Sequence, residues 1–213
     1  MRRTHALLLV MGLFLGLTST ARADRVIVYV IDPDQTQITF NWTYFGGTSP
    51  KGSFSNASGS IYGNMDRPEK SWAEVKIPVR TLKTFMSAID NQLLNSGDFF
   101  RPKEFPYMSF RSNGIMHVDR EKRTFSLTGT LTVNGITKPV ILSAKAGSAS
   151  GNPFGSGQSA GLSATTSFLR SEFGMDRMLG VVGDKMLVQL KVYAVEKSRG
   201  DMEPPPSDDP LDI

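Results

Sequence analysis

Along most of the chain, apolar and polar residues alternate with a period of two. Ile38, Phe40, Trp42 and Tyr44 fall on one side, with Thr39, Asn41 and Thr43 between them. Ala73, Val75, Ile77 and Val79 repeat the pattern, as do Met108 and Phe110, then Phe125, Leu127, Leu131 and Val133. Ala160, Leu162, Ala164, Thr166 and Phe168 follow, and Met186, Val188, Leu190, Val192 and Ala194 close the run. A period of two places every second side chain on one face of a strand. With the further stretches 26–31, 53–62 and 139–144, the pattern predicts roughly eight to ten strands. Residues 32–34, 66–68, 119–123 and 147–157 carry the turn formers between them.

Asn134-Gly135 separates two β-rich runs within 129–142. Both residues tolerate positive φ, which a type I′ hairpin turn requires, so a tight hairpin is predicted there. One stretch departs from the alternation. Leu82, Phe85, Met86, Ile89 and Leu93 have the spacing of an amphipathic helix, predicted over 81–95 and ended by Gly97. Many antiparallel strands with short connections and one helix indicate an all-β barrel or sandwich. At about eight strands a barrel interior either fills with side chains or holds one small ligand.

Charge and composition first require the N-terminus to be set aside. Arg2 and Arg3 precede a twelve-residue apolar run at 6–17, and Ala21-Arg22-Ala23 follows. This is the layout of a secretory signal peptide over 1–23, with Asp24 as the expected mature N-terminus. The run is short for a bilayer span. The whole chain has 24 Lys and Arg against 20 Asp and Glu. Without Arg2, Arg3 and Arg22 the balance is 21 to 20, a net of +1. The apparent basicity belongs to the export signal, and nucleic acid is not an indicated partner. From residue 197 the chain is acidic and Pro-rich, a composition that cannot bury enough surface to order itself. One domain is therefore expected over 24–196.

The catalytic options are few. The chain contains no cysteine, which excludes disulfides, thiolate chemistry, Cys-ligated metals and a lipid-modified N-terminal Cys. Outside the export signal His117 is the single histidine, set beside the charged turn 119–123 where a strand end is exposed. No catalytic residue or metal ligand is assigned, and no cofactor is implied. A Ser- or Asp-based hydrolase is the weakest of the function classes left. Gly46-Gly47 lacks the Lys-Ser/Thr pair of a phosphate loop. Arg170, within Arg170-Ser171-Glu172-Phe173-Gly174, could hold a polar head group by forked hydrogen bonds or could tie a strand end.

Several of these stretches occur in an order that resembles the YceI-like proteins, bacterial lipocalin-like barrels associated with polyisoprenoid binding. The matching text is Asp32 with Ile38-Thr39-Phe40, Gly52-Ser53-Phe54, Ile77-Pro78-Val79 and Ser96-Gly97-Asp98-Phe99-Phe100. It continues with Phe105-Pro106, Phe110-Arg111-Ser112, the hairpin from Gly129 to Val140, Arg170 to Met175, and Val182-Gly183-Asp184. The resemblance implies an antiparallel lipocalin-like barrel with one helix. It also implies a non-enzymatic periplasmic carrier or storage role, sometimes linked to stress, for a long isoprenoid, an isoprenoid quinone or a similar amphiphile. Three positions where such proteins commonly carry His read Gln35, Tyr44 and Gln92 here. The expected cavity lining is Trp42, Phe45, Phe85, Met86, Ile89, Phe99, Phe100, Met108, Phe110, Leu131, Phe168 and Phe173, with Arg170 as head-group candidate.

A magnitude restricts the ligand. Each buried methylene contributes about 0.8 kcal/mol, against roughly 4–15 kcal/mol lost on association. A chain of about fifteen carbons or more overcomes that cost, and a short fragment does not. Such a carrier calls for transient contact with a membrane or membrane protein, and a homodimer is an open state of assembly. The alternative of another class is a structural or partner-binding protein whose barrel is filled.

Overall fold

The structure is a computed structural model that describes residues 24–45, 47–147 and 159–197. The expected export signal, the tail beyond 197 and most of the 147–157 loop lie outside the described residues. Eleven β-segments form a single antiparallel sheet: β1 (Val26–Ile31), β2 (Gln37–Asn41), β3 (Lys51–Phe54), β4 (Ser58–Asn64), β5 (Trp72–Pro78) and β6 (Lys83–Thr84) come first. After the helix α1 (Ser87–Asn95) follow β7 (Tyr107–Asp119), β8 (Thr124–Val133), β9 (Ile136–Gly147), β10 (Ser159–Leu169) and β11 (Lys185–Glu196).

Eight of these segments close a ring in the order β1-β4-β5-β7-β8-β9-β10-β11, with β11 pairing back onto β1. Residues 194–196 of β11 pair with β1, while Leu187 to Lys191 pair with β2. β1 and β2 therefore follow one edge of β11, interrupted by the turn at 32–36. That turn is stitched to the same strand. Asp32 N donates to Tyr193 O at 2.9 Å, and the buried Thr36 exchanges hydrogen bonds with both Tyr193 backbone groups. β3 precedes β4, and β6 follows β5, across similar short breaks. β2, β3 and β6 thus extend one end of the barrel, called here the upper end. α1, the 170–184 connection and the 42–50 connection all sit at that end. Closure satisfies ladder hydrogen bonds that an open sheet would leave at its edges.

The predicted hairpin is present. Asn134 and Gly135 both have positive φ, 50° and 77°, and β8 pairs with β9 from Val133↔Ile136 onward. Asn134 also does something the pattern did not reveal. Its side chain is buried, donating Nδ2–H to Phe99 O at 2.7 Å and to Phe173 O at 3.4 Å. Its Oδ1 accepts from Arg101 N at 3.2 Å. One amide thus holds the hairpin tip against both the 96–106 connection and the 170–173 turn.

The helix is shorter than its hydrophobic spacing predicts, beginning at Ser87 and not at 81. Residues 79–81 form a single 3-10 turn, and Lys83 and Thr84 are captured as a strand by Ser53 and Gly52. Leu82, fully buried, belongs to the core between them. Thr84 N donates to Asp90 Oδ1 at 2.7 Å, which ties the start of α1 to β6. Pairing with β3 overrode a helical stripe whose first turn was needed as sheet.

Replacing Asn134 by Ala strands two buried carbonyls and one part-buried N–H, and places a residue without a side-chain amide at positive φ. The expected loss is about 2–4 kcal/mol of unfolding free energy, read from the midpoint of urea denaturation at constant slope.

Candidate functional site: an apolar cavity open at one end of the barrel

The inward positions of the strands do not all meet. At the lower end Tyr29, Phe125, Ala146, Ala160 and Ala194 are buried and fill the space between strands. Above them lies a cavity of ≈ 680 Å³, within the span of roughly 300–1,000 Å³ common for ligand pockets. Its walls are inward residues of every strand in the ring, among them Ile31, Ile61, Val75, Phe110, Leu127, Leu142, Leu162 and Leu190. Tyr44, Phe85, Met86 and Met178 both line the cavity and are exposed, so its opening lies among them. Phe85 and Met86 are 85% and 57% exposed. α1 crosses beside this opening with Ile89 and Leu93 on the cavity side and has no buried residue.

Among the described residues the lining contains no Asp, Glu or His. Its polar members are Tyr44, Lys51, Thr84, Gln92, Thr166 and Arg170. Thr84 exchanges hydrogen bonds with the Met86 backbone, and Thr166 donates to Ile141 O at 2.8 Å. Arg170 is 3% exposed. Its Nε donates to Gly183 O at 3.1 Å, Nη2 to Val182 O at 2.8 Å, and Nη1 to Met175 O. Its guanidinium also faces the Phe99 ring at 5.8 Å. Burial pushes the guanidinium down from its ordinary value, while the Asp184 and Asp176 carboxylates pull the other way. Asp184 in turn accepts from Ser171 N and Oγ, and Gly174 at φ 73° closes the turn. The motif around Arg170 therefore fastens the 170–184 connection, with three of five N–H donors spent on backbone carbonyls.

Of the residues expected to line a cavity, Trp42, Phe85, Met86, Ile89, Phe99, Phe100, Met108, Phe110, Leu131 and Phe168 do so, as does Arg170. Phe45 and Phe173 do not. Phe45 is 72% exposed, turned outward by a positive φ of 47° in the 42–50 connection. Phe173 is fully buried behind the wall, edge-on to Phe168 at 5.2 Å between ring centres. Phe40 and Phe54 also line the cavity, and the strand period alone would have placed them there. Met175 and Met178 add flexible lining from a connection with no period to read, and Met186 adds more from β11, where the period places it. His117 lies on the exposed end of β7 with Ser126 Oγ at 3.4 Å, away from the cavity. Among the described residues no group of His, Asp and Glu is arranged to hold a metal ion.

The YceI-like domain model matches residues 29–194, the whole of the closed ring but for its termini. The chain belongs to the YceI-like family. A UPF0312 protein of Azotobacter vinelandii is 27% identical over 92% of this chain and 100% of its own length. One from Shewanella baltica is 30% identical over 79% of this chain and 87% of its own. Among solved structures, Burkholderia cenocepacia BcnA has the same fold, with TM-score 0.67 at 16% identity, covering 78% of this chain and 99% of that one. The YceI protein of Campylobacter jejuni gives TM-score 0.58 at 25% identity over 69% and 85%. A polyisoprenoid-binding domain from Saccharophagus degradans gives 0.56 at 11% over 79% and 98%.

The three residues that stand where the resemblance implies His divide in the structure. Gln35 is exposed in the 32–36 turn and donates Nε2–H to Asp32 Oδ2 at 2.8 Å, away from the cavity. That hydrogen bond, with others from the Asp34 and Gln35 backbone, holds the Asp32 carboxyl below its ordinary range. Tyr44 and Gln92, by contrast, both stand in the cavity lining.

Proposed function

We propose that the protein is a periplasmic, non-enzymatic carrier that holds a long apolar lipid, a polyisoprenoid, isoprenoid quinone or similar amphiphile, in the barrel. The single observation that carries this reading is an apolar cavity of ≈ 680 Å³, filled at its base and open at one end. Such a shape accepts a chain lengthwise, and the gain per methylene grows with the length inserted. Among the described residues the lining lacks carboxylate and imidazole, the side chains that most often serve as general acid or base. The polyisoprenoid binding of the Saccharophagus degradans domain, which has this fold, supports the same reading. Export rests on the signal-like layout of residues 1–23.

The opening also defines how the ligand is exchanged. Phe45, Phe85, Met86, Met178 and Leu179 are exposed around it on three separate connections. Phe45 N donates to Val181 O at 3.0 Å, which joins two of those connections into one rim. An apolar rim continuous with an apolar cavity fits the surface of a bilayer, where the chain can leave the lipid phase without crossing water. Stress-related storage uses the same cavity with slower exchange.

Organic extraction of the protein purified from its native envelope, followed by mass spectrometry, is expected to yield one lipid per cavity. Ala164, inward and buried on β10, lines the chamber. Ala164→Trp fills it and is expected to abolish lipid recovery while far-ultraviolet circular dichroism stays that of a barrel. Recovery of no lipid and no uptake of added isoprenoid quinone by the unmodified protein would count against the carrier and for a filled scaffold. The exported protein is expected in the periplasmic fraction with an N-terminus at Asp24 by Edman sequencing.

Phe45 and Leu179 belong to the rim but not to the cavity lining. The Phe45→Asp, Leu179→Asp double variant is expected to lose co-sedimentation with phospholipid vesicles and keep its bound lipid. Conversion of a dimer to a monomer by the same variant, with vesicle binding absent in both proteins, would instead assign the rim to a homodimer interface.

A further inference from the structure

We propose that a basic groove on the outside of the barrel holds the chain's own acidic segment 198–213. This inference does not depend on the carrier reading. The groove, ≈ 560 Å³, crosses the outer face of β8 to β11 and shares no residue with the rim of the mouth. Register fixes which side chains face it. Ala144 and Ala146 are buried inward, as are Ala164 and Val192, so Lys145, Ser163 and Lys191 point outward beside them. Lys145 pairs with Ser163, and Ser163 with Lys191. Two strand spacings therefore separate the lysines, about 10 Å in all. Ser143, Thr165 and Gln189 form the next row. His117 closes the β8 side, its Nδ1 3.4 Å from Ser126 Oγ.

The charge of the groove has one sign. Among the described residues its lining contains no carboxylate, and neither ammonium has an ion pair or hydrogen bond. Asp119, opposite Thr124 on the flanking strand, is held by Lys122 at 3.2 Å. On the other flank Gln37 and Thr39 of β2 stand opposite Lys191 and Gln189.

Matching carboxylates come from one segment. Residues 1–23, 46 and 148–158 contain no Asp or Glu, so every acidic residue outside the described ones lies in 198–213. That segment holds Asp201, Glu203, Asp208, Asp209 and Asp212 against Arg199. It leaves the barrel from the strand that carries Lys191, directly after Lys197, whose N donates to Val28 O at 2.7 Å. The run of β11 from Lys191 to Lys197 measures roughly 20 Å, whereas the chain from Lys197 to Asp209 can reach roughly 40 Å. Pro-rich chains favour the polyproline II helix, which sets residues three apart on one side at about 9 Å. Asp209 and Asp212 have that separation in the sequence, and it matches the distance between the two lysine positions. Exposed ion pairs are individually weak and screened by salt, so the tether supplies the effective concentration that fills the groove.

The test treats the full exported protein with a zero-length carbodiimide, which joins an ammonium to a carboxylate in contact, and maps the links by mass spectrometry. Links from Lys145 and Lys191 to acidic residues of 198–213 are expected at low salt. They are expected to disappear at about 1 M salt, where the Debye length falls to about 3 Å. Lys76 and Lys103, exposed elsewhere on the barrel, are expected to stay unlinked to the segment. An equal mixture of nitrogen-15-labelled and unlabelled protein is expected to give links within one isotope only. In the Lys145→Gln, Lys191→Gln double variant, cleavage after Glu203 by a glutamate-specific protease is expected to accelerate several-fold. Absence of the links, links spread evenly over the exposed lysines, or a cleavage rate unchanged in the double variant overturns the assignment. Mixed-isotope links overturn it in favour of a second copy of the chain as the source of the segment.

Discussion

The fold depends on one strand having two partners along the same edge. β11 pairs with β10 along eleven residues, and its other edge meets β2 first and β1 afterwards. Without that closure the sheet would have free edges and an interior with only one wall. The weak point is the turn between β1 and β2, where a gap in the ladder would expose the backbone of Tyr193. Asp32 N and the Thr36 hydroxyl fill that gap with hydrogen bonds to Tyr193. Asp32 is itself held by Gln35 and the turn backbone, so a short polar segment carries a large apolar closure.

The upper end relies on a different device. Connections there are long, and packing alone would not locate them around an empty space. Two buried polar side chains substitute for core. Asn134 binds the backbone of two chain segments from the hairpin tip, and Arg170 binds the carbonyls of its own connection. Because backbone groups are their partners, neither needs a buried counter-charge to be satisfied. Among the described residues no buried side-chain nitrogen or oxygen lacks a partner. The end that must stay open for a ligand is thereby kept in place without being filled.

The same division explains how the cavity and rim relate. Large side chains and alanines fill the base, whereas at the top the inward aromatics line walls and do not meet. Phe40 stacks on Trp42 and tilts on Phe54, making a continuous aromatic wall from β2 to β3. α1, which buries no residue, adds a lightly packed side to the opening. A short helix with so little tertiary packing has little stability of its own, which suits an element beside a ligand's path.

The period of two was enough to identify the all-β class, most strand cores and most of the apolar lining, because each inward position is determined by neighbours one and two residues away. It also placed the hairpin, since Asn134-Gly135 states its turn locally. It failed where distant pairing decided the outcome. Residues 81–86 have a helical stripe, but β3 takes Lys83 and Thr84 as sheet. Phe45 and Phe173 are as apolar as Phe99 and Phe100, yet a positive φ turns one outward and Phe168 screens the other. Arg170 shows the limit most clearly. In the sequence it is one cation near a strand end. Only tertiary structure folds the 170–184 connection back on itself so that three of its carbonyls reach the guanidinium, because that irregular path follows no local period.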